Sequence, residues 1–472
     1  MTDRKRGPMS DELKQFCYHT SQQVMLGLAQ ELKIQPHIHY RPAGYNTARV
    51  LSLRLVGVNP HYLVKILGMR NELTMWAGLD DKYRVRIGWD GQSIIVEIPK
   101  PPRYWQKVTI EQLEARHYLR RGLVATLGLG LQGEPRRINF QEATTAHVIV
   151  SGLTRSGKTN TQRLIAWNLA RHSAPTAVKL LIFDVAKKGH RWFDFSNVAH
   201  LAHPLITEMA EANRVLTWLI HEIEQRGDQR RSTPRLFVII DELKALIDDS
   251  PVAAAYLARL AAIGAEFGLH LVLATQYPQI KMMGSAELKR NLSTRLCGKV
   301  DSADAATNAL GVSDSGAESL QGYGDFLLRD FRGLFRLTVA KLESHHMDQL
   351  TRADVTHLDL SQAGEINRGP GEKLRPRNEP EPLEPEQVGL ALFEPMGINR
   401  LAQRLGIGNT KAKRVKQFAE DIRQWALANG FRRFELEQLP QPFDHGKVDL
   451  WWPEDGHQVT LRSDQAQGER RS

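Results

Sequence analysis

Cysteine is almost missing from this chain: 472 residues contain two, Cys17 and Cys297. Two thiols cannot frame a disulfide-stapled fold or a cysteine-based zinc site, and they fit a reducing, cytoplasmic compartment. Aromatic residues are sparse at 7%. No stretch approaches the roughly 18 uninterrupted apolar residues that a membrane span needs. The start is basic through Arg4, Lys5 and Arg6, yet no apolar signal-peptide core follows it. Acidic residues are the scarcer charge, 53 against 63 Lys+Arg. The net charge of +10 favours a polyanionic partner, nucleic acid or anionic lipid. No internal repeat is present. What remains, 42% hydrophobic and 25% charged, is an ordinary globular composition with length for roughly two to four domains.

The apolar pattern divides the chain. Residues 1–21 read as an N-terminal tail or helix, and 22–110 as a small α/β subdomain. In it Leu51, Leu53 and Leu55 alternate as the inner face of a strand, and His61 to Trp76 has helical spacing with Leu63, Ile66, Leu67 and Leu73 inside. Asp90-Gly91 between two short apolar strands predicts a hairpin. Across 111–350, apolar runs at 147–150, 180–183, 236–240 and 270–274 alternate with helix-length segments. That is the pattern of a doubly wound, mostly parallel sheet. Residues 351–386 form a linker whose later part, 361–386, holds five prolines and three glycines. A compact pattern resumes over 387–455, and 456–472 reads as a polar tail.

Gly152-Leu153-Thr154-Arg155-Ser156-Gly157-Lys158-Thr159 is a Walker A sequence, with a strand before it and a helix, beginning at Asn160, after it; Gly152 to Asn160 are the candidate nucleotide-binding residues. The glycines let successive N–H groups face phosphates at a helix N-terminus. Lys158 would reach the β- and γ-phosphates of ATP, and Thr159 would ligate Mg²⁺. The strand at 236–240 ends in Asp241 and Glu242, which places Asp241 beside the ion and leaves Glu242 to polarise the attacking water. Thr275 and Gln276 end another core strand, where a polar side chain can sense the γ-phosphate or simply cap the strand.

Further segments make the resemblance specific. Gly268-Leu-His-Leu-Val-Leu-Ala-Thr-Gln276 followed by Tyr277-Pro278, Ser293 to Ser302, Gly316-Ala-Glu-Ser-Leu320 with Gly322-Tyr-Gly-Asp325, and His200 to Thr207 are similar to motifs of FtsK/SpoIIIE-type DNA translocases. The resemblance implies a RecA-like, ring-forming, hexameric motor acting on double-stranded DNA, with no membrane domain in this sequence. It also implies an arginine acting across subunits. Where the family carries a later arginine this chain has Ala265, which leaves Arg259 or Arg295. After Asp184 the family's Pro-Lys is replaced by Val-Ala-Lys187. A membrane channel or a recombinase is the further kind of partner such a motor would have. A secretion-type ATPase that moves protein, and a DNA-binding regulator switched by ATP, remain as alternatives.

Ile398 to Leu405, a tight turn, and Thr410 to Phe418 read as helix-turn-helix, completed by a winged-helix domain in the family resembled. Between 399 and 433 there are nine Lys/Arg against two Asp/Glu. Asn409, Thr410, Lys411, Lys413, Arg414 and Lys416 fall near or on the outer side of the second helix and are the candidate DNA contacts. His37 with His39, and His345 with His346, read as surface histidines lacking a third metal ligand. Trp451 and Trp452 read as core, and Ser151 and Ser156 give no nucleophilic triad.

Overall fold

The computed structural model describes residues 10–33, 37–38, 48–56, 58, 61–80, 83–89, 93–250, 252–276, 279, 285–361, 397–405, 412–413, 415–417, 419, 433–435, 448–451 and 460–463. It divides into two compact units, 1–370 and 371–472.

The first unit opens with α1 (Asp11–Leu32), capped by Ser10, whose hydroxyl accepts the Leu13 N–H. Leu13, Cys17, Val24, Leu28 and Leu32 recur at helical spacing and are all buried. They pack on an antiparallel sheet ordered β1-β2-β4-β3, made of β1 (His37–Ile38), β2 (Val50–Val56), β3 (Arg86–Trp89) and β4 (Ile94–Pro99). The alternating Leu51, Leu53 and Leu55 of β2 are in that core, each contributing about 1.5–3 kcal/mol by burial. The single helix expected over 61–76 is two, α2 (Tyr62–Gly68) and α3 (Arg70–Trp76). The break follows Gly68, at Met69, whose N–H turns back to the Ile66 carbonyl in a tighter turn. α1 also runs across the expected division at 21/22.

The larger sheet has nine strands among the described residues, ordered β6-β5-β13-β12-β11-β7-β10-β9-β8. These are β5 (Val124–Gly130), β6 (Pro135–Asn139), β7 (Val148–Ser151), β8 (Val178–Phe183), β9 (Arg235–Ile240), β10 (Leu269–Thr275), β11 (Thr294–Cys297), β12 (Asp325–Asp330) and β13 (Gly333–Val339). The five from β8 to β11 run parallel, and the other four extend the sheet antiparallel. α4 (Ile110–Ala115) leads in, and α5 (Lys158–His172) covers one face. α6 (Met209–Asp228), α7 (Leu243–Asp249) and α8 (Ala253–Ile263) cover the other. Successive residues of β9 divide between the two cores: Phe237 and Ile239 under α5, Val238 and Ile240 under α6. Burial on both faces is why the strands read as unbroken apolar runs. α9 (Ala286–Asn291) and α10 (Ala303–Leu310) flank β11.

In the second unit, α11 (Ile398–Leu405) buries Leu401 and Ala402. Ala412, Val415 and Ala419 are buried at helical spacing, while Lys413 and Lys416 are exposed. A three-stranded antiparallel sheet follows, β14 (Arg433–Glu435), β15 (Val448–Trp451) and β16 (Thr460–Ser463). Asn409, Thr410, Lys411 and Arg414 lie outside the described residues, as do His39, Tyr277, Pro278 and Trp452.

Candidate nucleotide site

The glycine-rich loop leaves β7 and enters α5. Gly152 and Gly157 have φ of 139° and 109°, where only glycine is unstrained. A Cβ would come within 2.9 Å of Ser156 Oγ at the first and 3.1 Å of Gly324 N at the second. Leu153, Thr154 and Arg155 stand exposed on the curl, and Ser156 is buried beneath it. Lys158 lies back across the loop, its Nζ donating to the carbonyls of Gly152 (2.8 Å) and Leu153 (3.2 Å). Burial lowers the Lys158 pKa, Glu242 and Asp241 oppose that, and Lys187 adds to it.

The carboxyl end of β9 meets this loop although one strand, β10, separates β9 from β7. Asp241 is buried, and its Oδ1 accepts from Thr159 Oγ1 at 2.7 Å. Its Oδ2 is paired with Lys187 Nζ. Glu242 begins α7; its Oε2 accepts from Gln276 Nε2 at 3.1 Å, and its buried Oε1 has no hydrogen-bond partner among the described residues. Gln276 also accepts from Thr154 Oγ1 at 3.2 Å, so one amide bridges the glycine loop and Glu242. Thr275 is fully buried beside Ser151. Gln162 of α5 donates to the carbonyls of Ile240 (2.8 Å) and Val272 (3.0 Å), tying the loop's helix to β9 and β10. Asn160 faces elsewhere, donating to Ala340 O (2.9 Å) and accepting from Leu342 N (3.0 Å).

These residues fit a nucleotide with Mg²⁺. A curl that only glycine allows, an ammonium over it, a hydroxyl already set against a buried carboxylate, and a spare carboxylate oxygen are the donor set that Mg-ATP needs.

Two features escaped the sequence. Lys187, three residues past Asp184 at the end of β8, reaches Asp241; Asp184 itself is buried, and burial together with the Asp241 charge raises its pKa. The second is a brace behind the loop. The N–H groups of Tyr323 and Gly324 donate to the carbonyls of Arg155 (3.2 Å) and Ser156 (2.8 Å). The adjoining Asp325 takes a two-pronged bond from Arg336, at 2.9 and 2.6 Å. Arg336 also donates to Glu97 Oε2 at 2.6 Å, and Glu97 Oε1 pairs with Arg86. Burial works against the Arg336 charge, but Asp325 and Glu97 outweigh it and hold the guanidinium above its ordinary range. Arg49 adds a bond to the Tyr323 carbonyl at 2.6 Å. The small sheet thus holds the segment that backs the loop.

Neither candidate arginine is bonded to this cluster. Arg259 of α8 is half-exposed and pairs with Glu224 at 2.9 Å. Arg295 donates to the carbonyls of Leu292 and Lys289. The reading of His346 as a surface residue is corrected: it is 2% exposed, because Trp167 Nε1 binds its carbonyl at 2.9 Å and Glu111 Oε1 meets its Nε2 at 2.8 Å. His345 does remain at the surface, 3.1 Å from the same oxygen. No described helix is long and apolar enough to cross a membrane.

A model of the FtsK/SpoIIIE family matches residues 112–233. "DNA translocase FtsK" of Chlamydia pneumoniae is 28% identical over 267 residues, 50% of this chain and 32% of that one. "DNA translocase SftA" of Bacillus subtilis is 30% identical over 43% of this chain and 23% of its own. "DNA translocase FtsK" of Halalkalibacterium halodurans is 26% identical over 76% of this chain and 49% of its own. The chain therefore spans half or less of the length of these curated relatives. Among solved structures, the pCW3 conjugation coupling protein TcpA with ATPgS shares 17% identity at a TM-score of 0.46, covering 73% of this chain and 98% of that chain.

Proposed function

We propose that this chain, whose residues 112–233 match a model of the FtsK/SpoIIIE family, is an ATP-driven double-stranded DNA translocase. The observation that carries the reading is the meeting of Lys158 and Thr159 with Asp241, Glu242 and Gln276 at the carboxyl ends of three adjacent strands. Bound Mg²⁺ supplies charge neutralisation on the phosphates, and Thr159 and Asp241 would hold it. Gly152 to Thr159 cradle the phosphates, and Lys158 offsets their charge. Glu242 takes a proton from the attacking water at its unpaired Oε1, while Gln276 fixes the carboxylate through Oε2. Lys187 pairs with Asp241, so a cation held by that carboxylate would share it with the Lys187 ammonium.

The core is RecA-like and works as a ring of copies, six by the family resemblance, in the cytoplasm. Arg259, half-exposed on α8, is the first candidate for the arginine that reaches a neighbour's site, and Arg295 the second. Residues 387–455 form a winged-helix module whose sheet continues through β16 (Thr460–Ser463), into the stretch read as a polar tail. Buried Leu401 and Val415 beneath exposed Lys413 and Lys416, followed by a small antiparallel sheet, support that assignment. Lys413 and Lys416 meet phosphates, and Asn409, Thr410, Lys411 and Arg414 meet base edges.

The test is displacement of a third strand from a triplex placed on duplex DNA. ATP-dependent displacement by the wild-type chain, lost in Lys158→Ala, is expected. Hydrolysis that neither responds to duplex nor drives displacement would overturn the reading.

A further inference from the structure

A second basic site lies at the other end of α5. Leu119, Arg120 and Arg121, between α4 and β5, face Arg171, His172 and Ser173, at the end of α5, across a cleft of about 530 Å³. The walls are tied together: Gly122 N–H donates to the His172 carbonyl, and the Ser173 hydroxyl to the Gly122 carbonyl. Arg120, Arg121 and Arg171 are exposed. No carboxylate lines the cleft, and none of the three pairs with one among the described residues.

The like charges sense one another. The His172 pKa is lowered by burial first, then by Arg171 and Arg121; that of Arg137 by burial first, then by Arg120. His172 Nε2 is buried without a hydrogen-bond partner among the described residues. A helix C-terminus carries only about half a negative charge, which one cation offsets. Three guanidiniums exceed that need, and an anion in the cleft would relieve their repulsion. Planar guanidiniums match phosphate oxygens two at a time.

We propose that this cleft grips the phosphate backbone of duplex DNA, with Arg120, Arg121 and Arg171 each meeting a phosphate; this rests on the translocase reading above. A duplex offers one charge per roughly 1.7 Å of axis, so several phosphates can be met at once. The cleft and the glycine-rich loop sit at opposite ends of one helix of 15 residues, roughly 22 Å long. DNA contact at one end is thereby joined through α5 to the nucleotide residues at the other.

The experiment measures binding of the full chain to a labelled random-sequence duplex over a salt series, comparing wild type with R120Q/R121Q/R171Q. Affinity at low salt should fall at least about 10-fold, and the slope of log affinity against log salt should become shallower by about 2–3. ATPase without DNA and the thermal midpoint should be unchanged, and the triple Arg→Lys variant should keep the steep slope. Should the triple Gln variant fold poorly, R120Q alone is expected to lower the slope by about 1. Unchanged affinity and slope would overturn the cleft and leave the translocase reading standing. A wild-type chain with neither duplex binding nor duplex-stimulated ATPase would overturn both. Tripolyphosphate competing as well as duplex, at equal phosphate, would assign the cleft to a small free anion and overturn the duplex assignment.

Discussion

The parallel strands carry buried polar groups at both ends, and the two ends treat them in opposite ways. At the carboxyl ends, Asp241, Glu242 and Gln276 meet Thr154, Thr159 and Lys187 beside Lys158; opposite charges are brought together, and among the described residues Glu242 Oε1 has bonding capacity left over. At the amino ends, His147 enters β7 and His270 lies on β10, both in the core. Burial drives His147 down to about 4 and His270 down to about 3, so both rings are neutral at pH 7. His147 Nδ1 accepts the Leu271 N–H, His270 Nδ1 donates to the Ala146 carbonyl, and the His270 ring stacks on Phe237. A buried polar group therefore points to chemistry where its charge is balanced and a bonding site remains open. Where burial has discharged it, it belongs to packing.

The comparison breaks first at Glu242. Glu242→Gln should slow ATP hydrolysis by about 10²–10⁴-fold while keeping nucleotide affinity, seen as a lower kcat with little change in binding of a non-hydrolysable analogue. Normal turnover would remove Glu242 from the chemistry.

Next is the brace. Arg336→Met leaves Asp325 and Glu97 buried without their shared partner, and should cost about 3–5 kcal/mol in chemical denaturation. Because Tyr323 and Gly324 hold the loop carbonyls, ATP affinity should weaken in the fraction that remains folded.

The amino-end histidines give a pH signature. Their folded pKa values lie below the unfolded value of 6.5, so the unfolded chain binds protons more readily. Their contribution is full above about pH 6.5 and is lost as pH falls toward 4 for His147 and toward 3 for His270. Between pH 7 and 5 the loss should be on the order of 1–2 kcal/mol for each ring. Thermal melts of His270→Phe should show a flatter pH dependence over that range than wild type.

The smallest effect sharpens the boundary of the site. Asn160→Ala should cost about 1–2 kcal/mol through its lost bonds to Ala340 and Leu342. ATP affinity should not change, because that side chain faces the segment after β13. A large fall in nucleotide affinity at full stability would show that it reaches the ligand instead.

The meeting of residues 152–159 with the pair 241–242 was legible because each motif is set by spacing along one strand-loop-helix or by one strand end. The alternating leucines of β2 and the unbroken run of β9 were legible because burial on one face or two writes itself into sequence period. The brace was not, since Glu97 and Arg336 are 239 residues apart and look like any surface pair until two sheets bury them. Lys187 was hidden by its register, one residue later after Asp184 than the resembled motif has it. The helix break at Met69 was missed because the apolar stripe continues across it. The cleft of Arg120, Arg121 and Arg171 joins segments 50 residues apart, and His346 is buried by Trp167 and Glu111 from other helices.

The most direct measurement is the steady-state ATP hydrolysis rate of the full chain with and without double-stranded DNA, alongside Glu242→Gln. The account predicts hydrolysis that duplex stimulates in wild type and that falls to background in the variant under both conditions. A wild-type rate indifferent to duplex, or a variant as fast as wild type, would contradict it.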